Sequence, residues 1–183
     1  MTTWPETIDG WLAFEREDRG EVVVERGFID HWLEATQDGN PLYWDETVAE
    51  QVAGGVVAPP NMMLTWLMAW RWSPRRPDEF WDPHVDQDPD KPRPRRSLET
   101  HFALKDFMGL KEGIVGGYET EFHEPVRLGD RLRCVERVTD IGEERTNRLG
   151  TGRSWTVEVR YFNQHDQLVG IARYQMYSYN REG

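Results

Sequence analysis

Residues 58–72 read APPNMMLTWLMAWRW, and between 62 and 70 Thr65 alone is polar. At helical spacing such a run is apolar on every side rather than striped, so other structure must wrap it. Pro59 and Pro60 suit a first helical turn, and Asn61 is a candidate cap for it. The wrapping has to come from a chain of 183 residues. That length holds one cored domain and is short for two, so residues 1–183 are expected to form a single domain.

The second half supplies a wrapper. YETEFHEP (118–125) alternates Tyr118, Thr120 and Phe122 with Glu119, Glu121 and His123, and DRLRCVERVTDI (130–141) follows a turn at 127–130. SWTVEVRYF (154–162) places Trp155, Val157, Val159 and Tyr161 on one face; NQHDQ (163–167) reads as a hairpin loop and LVGIARYQMYSY (168–179) as the returning strand. Period-2 segments separated by turns predict an antiparallel meander. Between its strands, ERTNRLGTGR (144–153) reads as a basic, glycine-containing loop. A sheet wrapped around a central apolar helix satisfies both patterns, which makes the fold class α+β.

In the first half, residues 1–19 read as helical with Ile8, Trp11, Leu12 and Phe14 on the buried side. GEVVVERG (20–27) reads as a strand from its β-branched run, and FIDHWLEATQ (28–37) returns to helical spacing through Phe28, Trp32 and Ala35. The segment 73–97 stands apart: six of the eleven prolines fall in it. Neither a helix interior nor a central strand tolerates that density, so it reads as a long surface insertion.

Charge and composition exclude several roles. A net charge of −11 argues against general nucleic-acid binding, which needs a cationic surface. Cys134 is the only cysteine, so no intrachain disulfide is expected, and no pair of histidines has zinc-like spacing, so no metal is expected. The first residues lack a basic start and an apolar run, and no stretch approaches a membrane span, which predicts a cytoplasmic protein with no membrane partner.

QDGNPLY (37–43) opens as a turn, since Asp, Gly, Asn and Pro are the residues with which chains reverse. In the longer run FIDHWLEATQDGNPLYWDETVAEQVAGGVVAPPNMMLTWL it resembles the hotdog-fold MaoC-like dehydratases, the (R)-specific enoyl-CoA hydratases. Their signature is Gly-Asp-x-Asn-Pro-aliphatic-His, followed by a glycine-rich approach to the central helix. GGYETEFHEPVRLGDRL and the closing YFNQHDQLVGIARYQMY are similar to their later strands, and Ala58-Pro59-Pro60 resembles the N-terminal MaoC dehydratase branch. The likeness covers roughly 25–179, interrupted by the insertion.

The resemblance implies a hotdog fold and a 2-enoyl-CoA thioester as substrate, with coenzyme A part of that substrate and no separate cofactor. In active members the signature Asp and His activate the water that adds across the double bond, and a backbone N–H at the start of the central helix polarises the thioester carbonyl. Such a pair takes a proton from water and returns one to the α-carbon. Carried across, Asp38 falls on the catalytic aspartate, Asn40-Pro41 on the Asn-Pro, Tyr43 on the catalytic histidine and Gln37 on the glycine. Asp38 and Tyr43 are therefore the candidate catalytic residues, with Asn40, Asn61 and Met62 as candidate substrate contacts. Arg145, Arg148 and Arg153 form a basic spot that suits the phosphates of coenzyme A or is simply solvated. A tyrosine titrates near 10 and is a poor proton shuttle at neutrality. The histidines His31, His84, His101, His123 and His165 read as structural or solvated.

Three functions fit these residues. One is the pocket-forming, catalytically degenerate subunit of a heteromeric hydratase for a bulky acyl-CoA, steroid or long-chain, paired with a second MaoC-like hotdog chain. Another is a homodimeric hydratase that relies on Asp38. The third is a hotdog protein that binds acyl-CoA without chemistry.

Overall fold

Residues 2–68, Pro74 and 98–181 are described by the computed structural model of the chain. The proline-rich insertion, Pro74 apart, lies outside the described residues. So do His84 and the end of the apolar run beyond Met68.

The period-2 segments form the expected antiparallel sheet. Its strands are β1 (Glu15–Arg19), β2 (Glu112–Phe122), β3 (Arg133–Ile141), β4 (Arg145–Asn147), β5 (Gly150–Phe162) and β6 (Leu168–Asn180). They run in the order β1-β3-β5-β6-β2, with β4 paired to β5. Trp155, Val157, Val159 and Tyr161 all lie buried on the inner face, as their spacing predicts. The outer face carries a ladder of alternating charge: Glu15 with Arg160, Arg137 and Arg173 with Glu158, and Arg173 with Glu121.

The apolar run packs against that inner face. Met62, Met63 and Trp66 are at most 3% exposed. Its described part is two successive 3-10 turns, Pro60–Met62 and Thr65–Leu67, instead of one α-helix. Pro60 has no N–H to give, and Met62 N–H bonds the Pro59 carbonyl at 2.9 Å, which tightens the first turn. Pro59, not Asn61, takes the cap position, and Asn61 is exposed. Gly20 passes so close that a Cβ there would collide with the Trp66 carbonyl.

Several sequence expectations are corrected. The first helix is only α1 (Ile8–Ala13), capped by Thr7; it buries Trp11 and leaves Ile8 and Leu12 more than a third exposed. Phe14 turns to extended geometry, and the next five residues, all charged, become β1 paired with β3. Residues 20–25 are not a strand. Gly20 N–H and Val24 N–H donate to the carbonyls of Leu132 and Asp130, and no ladder forms, although Val22 and Val24 are buried. Residues 145–152 are not a loop, because β4 closes a hairpin onto β5 in register Arg145 to Gly152. Helix α2 (Arg26–Thr36) matches its periodicity but buries Ile29, with Ala35 exposed.

Two helices have no counterpart in the periodicity reading. Helix α3 (Glu46–Ala53) starts at Asp45, whose carboxylate accepts the N–H groups of Thr47 and Val48, and stops at left-handed Gly54. Helix α4 (Glu99–Phe107) has no local side-chain cap. The buried carboxylate of Glu136, on β3, accepts its Thr100 N–H at 3.0 Å instead. No helix among the described residues is long and apolar enough to cross a membrane.

Candidate active site

The QDGNPLY loop is built by short-range bonds its own residues supply. Gln37 closes α2 in left-handed geometry (φ 54°). The Asp38 carboxylate accepts the Asn40 N–H at 3.0 Å, and the Asn40 side-chain carbonyl accepts the Leu42 N–H at 3.1 Å. Pro41 then starts a single 3-10 turn that delivers Tyr43. Trp44 donates its indole N–H to the Gly39 carbonyl at 3.2 Å, and Asp45 begins α3. Two successive Asx turns thus fix the loop, which is why Asp and Asn are needed at these positions.

The loop is tied to the entrance of the central segment. Val57 N–H donates to the Leu42 carbonyl at 3.3 Å, and Ala58 N–H to the Val126 carbonyl at 2.8 Å. Between them lies a cavity of about 220 Å³ walled by Tyr43, Ala58, Pro60, Met63, Phe122 and Val169. Its walls are predominantly apolar. The structure therefore brings Asp38, Asn40 and Tyr43 together, but only Tyr43 faces the cavity; Asp38 and Asn40 stand behind it. Burial pushes the Tyr43 phenol above its usual pKa, the Asp38 charge raises it further, and Asn40 opposes the shift by hydrogen bonding. At neutral pH the phenol therefore keeps its proton.

Met62 is buried beside the cavity without lining it, and Asn61 faces outward. Met63 and Pro60, which sequence reasoning passed over, line it instead. The signal for Met63 was its place in the apolar run; nothing local marked Phe122 or Val169. His123 sits at the rim, its Nε2 3.8 Å from a Glu121 carboxylate oxygen. His101 is buried on α4, accepts the Trp155 indole N–H at 3.2 Å, and is driven to about 4 by burial, with Lys105 adding to the shift. His31 pairs with Glu34 at the surface, and His165 is exposed in the β5–β6 turn. Arg145, Arg148 and Arg153 lie at the opposite end of the sheet, because Arg153 pairs with Ser178 whereas the cavity adjoins Val169. Among the described residues no group of three side chains is placed to hold a metal ion.

A sheet around a central apolar segment, with an Asp-x-Asn-Pro loop at its entrance, is the hotdog fold of the MaoC-like dehydratases. Residues 12–171 match the family described as FAS1-like, dehydratase domain region, and the chain belongs to that family. It is similar to a probable enoyl-CoA hydratase alpha subunit of Thermomonospora curvata, 30% identical over 159 residues, covering 86% of this chain and 46% of that protein. It is also similar to the 3-oxo-4,17-pregnadiene-20-carboxyl-CoA hydratase alpha subunit of Mycobacterium tuberculosis, 26% identical, with coverage of 78% and 38%. The chain spans less than half the length of either relative. Among solved structures, the ChsH1-ChsH2 complex from Mycobacterium tuberculosis matches with a TM-score of 0.71 at 20% identity, over 94% of this chain and 88% of that one. A MaoC-like dehydratase from Rhodospirillum rubrum matches with a TM-score of 0.54 at 16% identity, over 94% and 96%.

Proposed function

We propose that this chain is a component of an enoyl-CoA hydratase, and that it forms the acyl pocket while a second hotdog chain supplies the proton-transferring histidine. The observation that carries this reading is Tyr43: the one residue of the family's pair that faces the cavity is a phenol held in its protonated form. It donates a hydrogen bond to the thioester, and Asp38 acts through the loop as a positioning residue. The predominantly apolar walls suit an acyl group, and one as bulky as the pregnadiene-carboxyl group named for one relative needs more than this chain's 220 Å³, which a docked partner would extend.

The partner's place is β2. Among the described residues this strand is paired on one side only, and Ile114, Val115, Tyr118 and Phe122 along it are between 43% and 56% exposed. A long unpaired edge with exposed apolar side chains is a surface on which another strand adds. Phe122 also walls the cavity, so a chain docked there completes the site.

The test is co-expression with a hotdog chain that carries the intact Asp-x-Asn-Pro-x-His sequence. A stable complex that hydrates 2-enoyl-CoA, with little turnover by this chain alone, is the expected result. Strong turnover by the single chain that vanishes in Asp38→Ala would overturn the division of labour and favour a self-sufficient homodimer.

A further inference from the structure

A second concavity, about 450 Å³, opens at the same end of the sheet as the cavity. Arg19 at the end of β1, Arg131 just before β3 and Arg133 at its start line it, with Asn163, Gln164 and Asp166 from the β5–β6 turn. Three arginines line this one cleft on a chain of net charge −11.

Two of the three have carboxylate partners. Arg19 pairs with Glu17 at 3.1 Å. Arg133 pairs with Asp166 at 3.0 Å, reaches Glu17 at 3.6 Å, and lies over the Phe162 ring at 4.3 Å. Arg131 is different. Its backbone is fixed, because its N–H donates to the Gln164 side chain at 3.0 Å and Gln164 in turn donates to Asp130. Its exposed guanidinium has no carboxylate partner among the described residues. Glu17 and Asp166 thus pair with Arg19 and Arg133, Asp130 is taken up by the Gln164 amide and the Arg127 N–H, and Arg131 has no ion pair among the described residues.

We propose that this cleft is an anion site for a phosphorylated group, with Arg131 as the residue that grips it. Guanidinium forks match phosphate oxygens in pairs, and ion-assisted bonds of that kind are the strong ones. The further step rests on the acyl-CoA reading above: the phosphates are those at the adenosine end of the coenzyme A whose acyl end enters the apolar cavity. From β3, at the cleft, to β2, at the cavity, is three strand steps of roughly 4.8 Å each. The turn and connection residues between them, 123–132, contribute to both concavities. This places the phosphate site at the end of the sheet opposite Arg145, Arg148 and Arg153.

Calorimetric titration of the full chain with adenosine 3′,5′-bisphosphate tests it, using wild type, Arg131→Gln and Arg148→Gln. Arg131→Gln is expected to weaken binding about tenfold or more while Arg148→Gln does not. Binding that Arg131→Gln leaves unchanged, binding lost instead in Arg148→Gln, or no binding to wild type each overturns the site. A parallel titration with a saturated acyl-CoA separates this outcome from the fate of the functional reading. If acyl-CoA binds tightly and Arg131→Gln has no effect, the cleft falls and the acyl-CoA reading stands. If the bisphosphate responds to Arg131→Gln but acyl-CoA binds no more tightly than the bisphosphate, the cleft stands as a site for free nucleotide phosphates and the acyl-CoA reading falls. Inorganic phosphate, run as a third titrant, shows whether the phosphate alone is sufficient.

Discussion

Met63 occupies the space that a side chain on Gly170 would need. A Cβ built on Gly170 falls 2.5 Å from the Met63 sulfur and 2.8 Å from the Glu121 carbonyl on β2. The glycine thus lets the central segment, β6 and β2 meet at one point, and Met63 walls the cavity there. Gly170→Ala is expected to destabilise the fold by about 1–3 kcal/mol, as overpacked cores do. Denaturant midpoints check this. Gly27, with nothing within 4 Å of its would-be Cβ, is the control: Gly27→Ala in α2 is expected to be neutral or stabilising.

His101 makes stability depend on pH. Its folded-state pKa is about 4 against an ordinary 6.5, so the unfolded chain takes up the proton first as the solution acidifies. The contribution is intact above about 6.5 and is lost as pH falls toward about 4, at no more than about 1.4 kcal/mol per pH unit. His101→Gln keeps an acceptor for the Trp155 indole and does not titrate. Unfolding curves at several pH values across that window should therefore be flatter for the variant than for the wild type.

Asp38 acts on Tyr43 through charge. Removing that charge lowers a phenol pKa that it helps to raise, while burial still holds the group above its usual value. Asp38→Asn preserves an oxygen to accept the Asn40 N–H. Titration of Tyr43 by carbon-13 NMR on tyrosine-labelled protein should show the phenol ionising at lower pH in Asp38→Asn. An unmoved curve would mean that the two residues do not communicate.

A histidine at position 43, where the resemblance places the catalytic histidine, tests the proposed division of labour. Tyr43→His places an imidazole at the cavity wall with Asp38 behind it. Turnover of a short 2-enoyl-CoA by the single chain is expected to rise roughly a hundredfold over the wild-type chain, the lower range for a positioned general acid–base. The gain should disappear when Asp38→Ala is added.

The most legible parts of the fold were those whose patterns are local. The Trp155–Tyr161 face of β5 follows from period 2 alone, and the Asp38–Tyr43 loop follows from residues that bond within three or four positions of one another. β1 was read as helix because its residues are all charged and carry no apolar alternation. It is a strand because Arg16 and Asp18 turn inward against β3, with Arg16 3.9 Å from the buried Glu136. Helix α4 lacked a start signal since its cap comes from Glu136, thirty-six residues away. Helix α3 is a different case, because Asp45 and Gly54 do mark its ends. The cavity was half legible: Tyr43 and the apolar run announce it, whereas Phe122 and Val169 arrive only through the pairing of β2 with β6.

The charge on β1 has a consequence for assembly. One margin of the sheet, β2, exposes Ile114, Val115, Tyr118 and Phe122 among its glutamates and has no strand on its outer side among the described residues; the other, β1, is five consecutive charged side chains. A partner docked along β2 leaves this chain's β1 at the outer rim, and an edge of consecutive charged side chains is one that disfavours addition of a further strand. On the pairing proposed above, growth by strand addition stops at a pair, because the margin left outermost on this chain is the charged one.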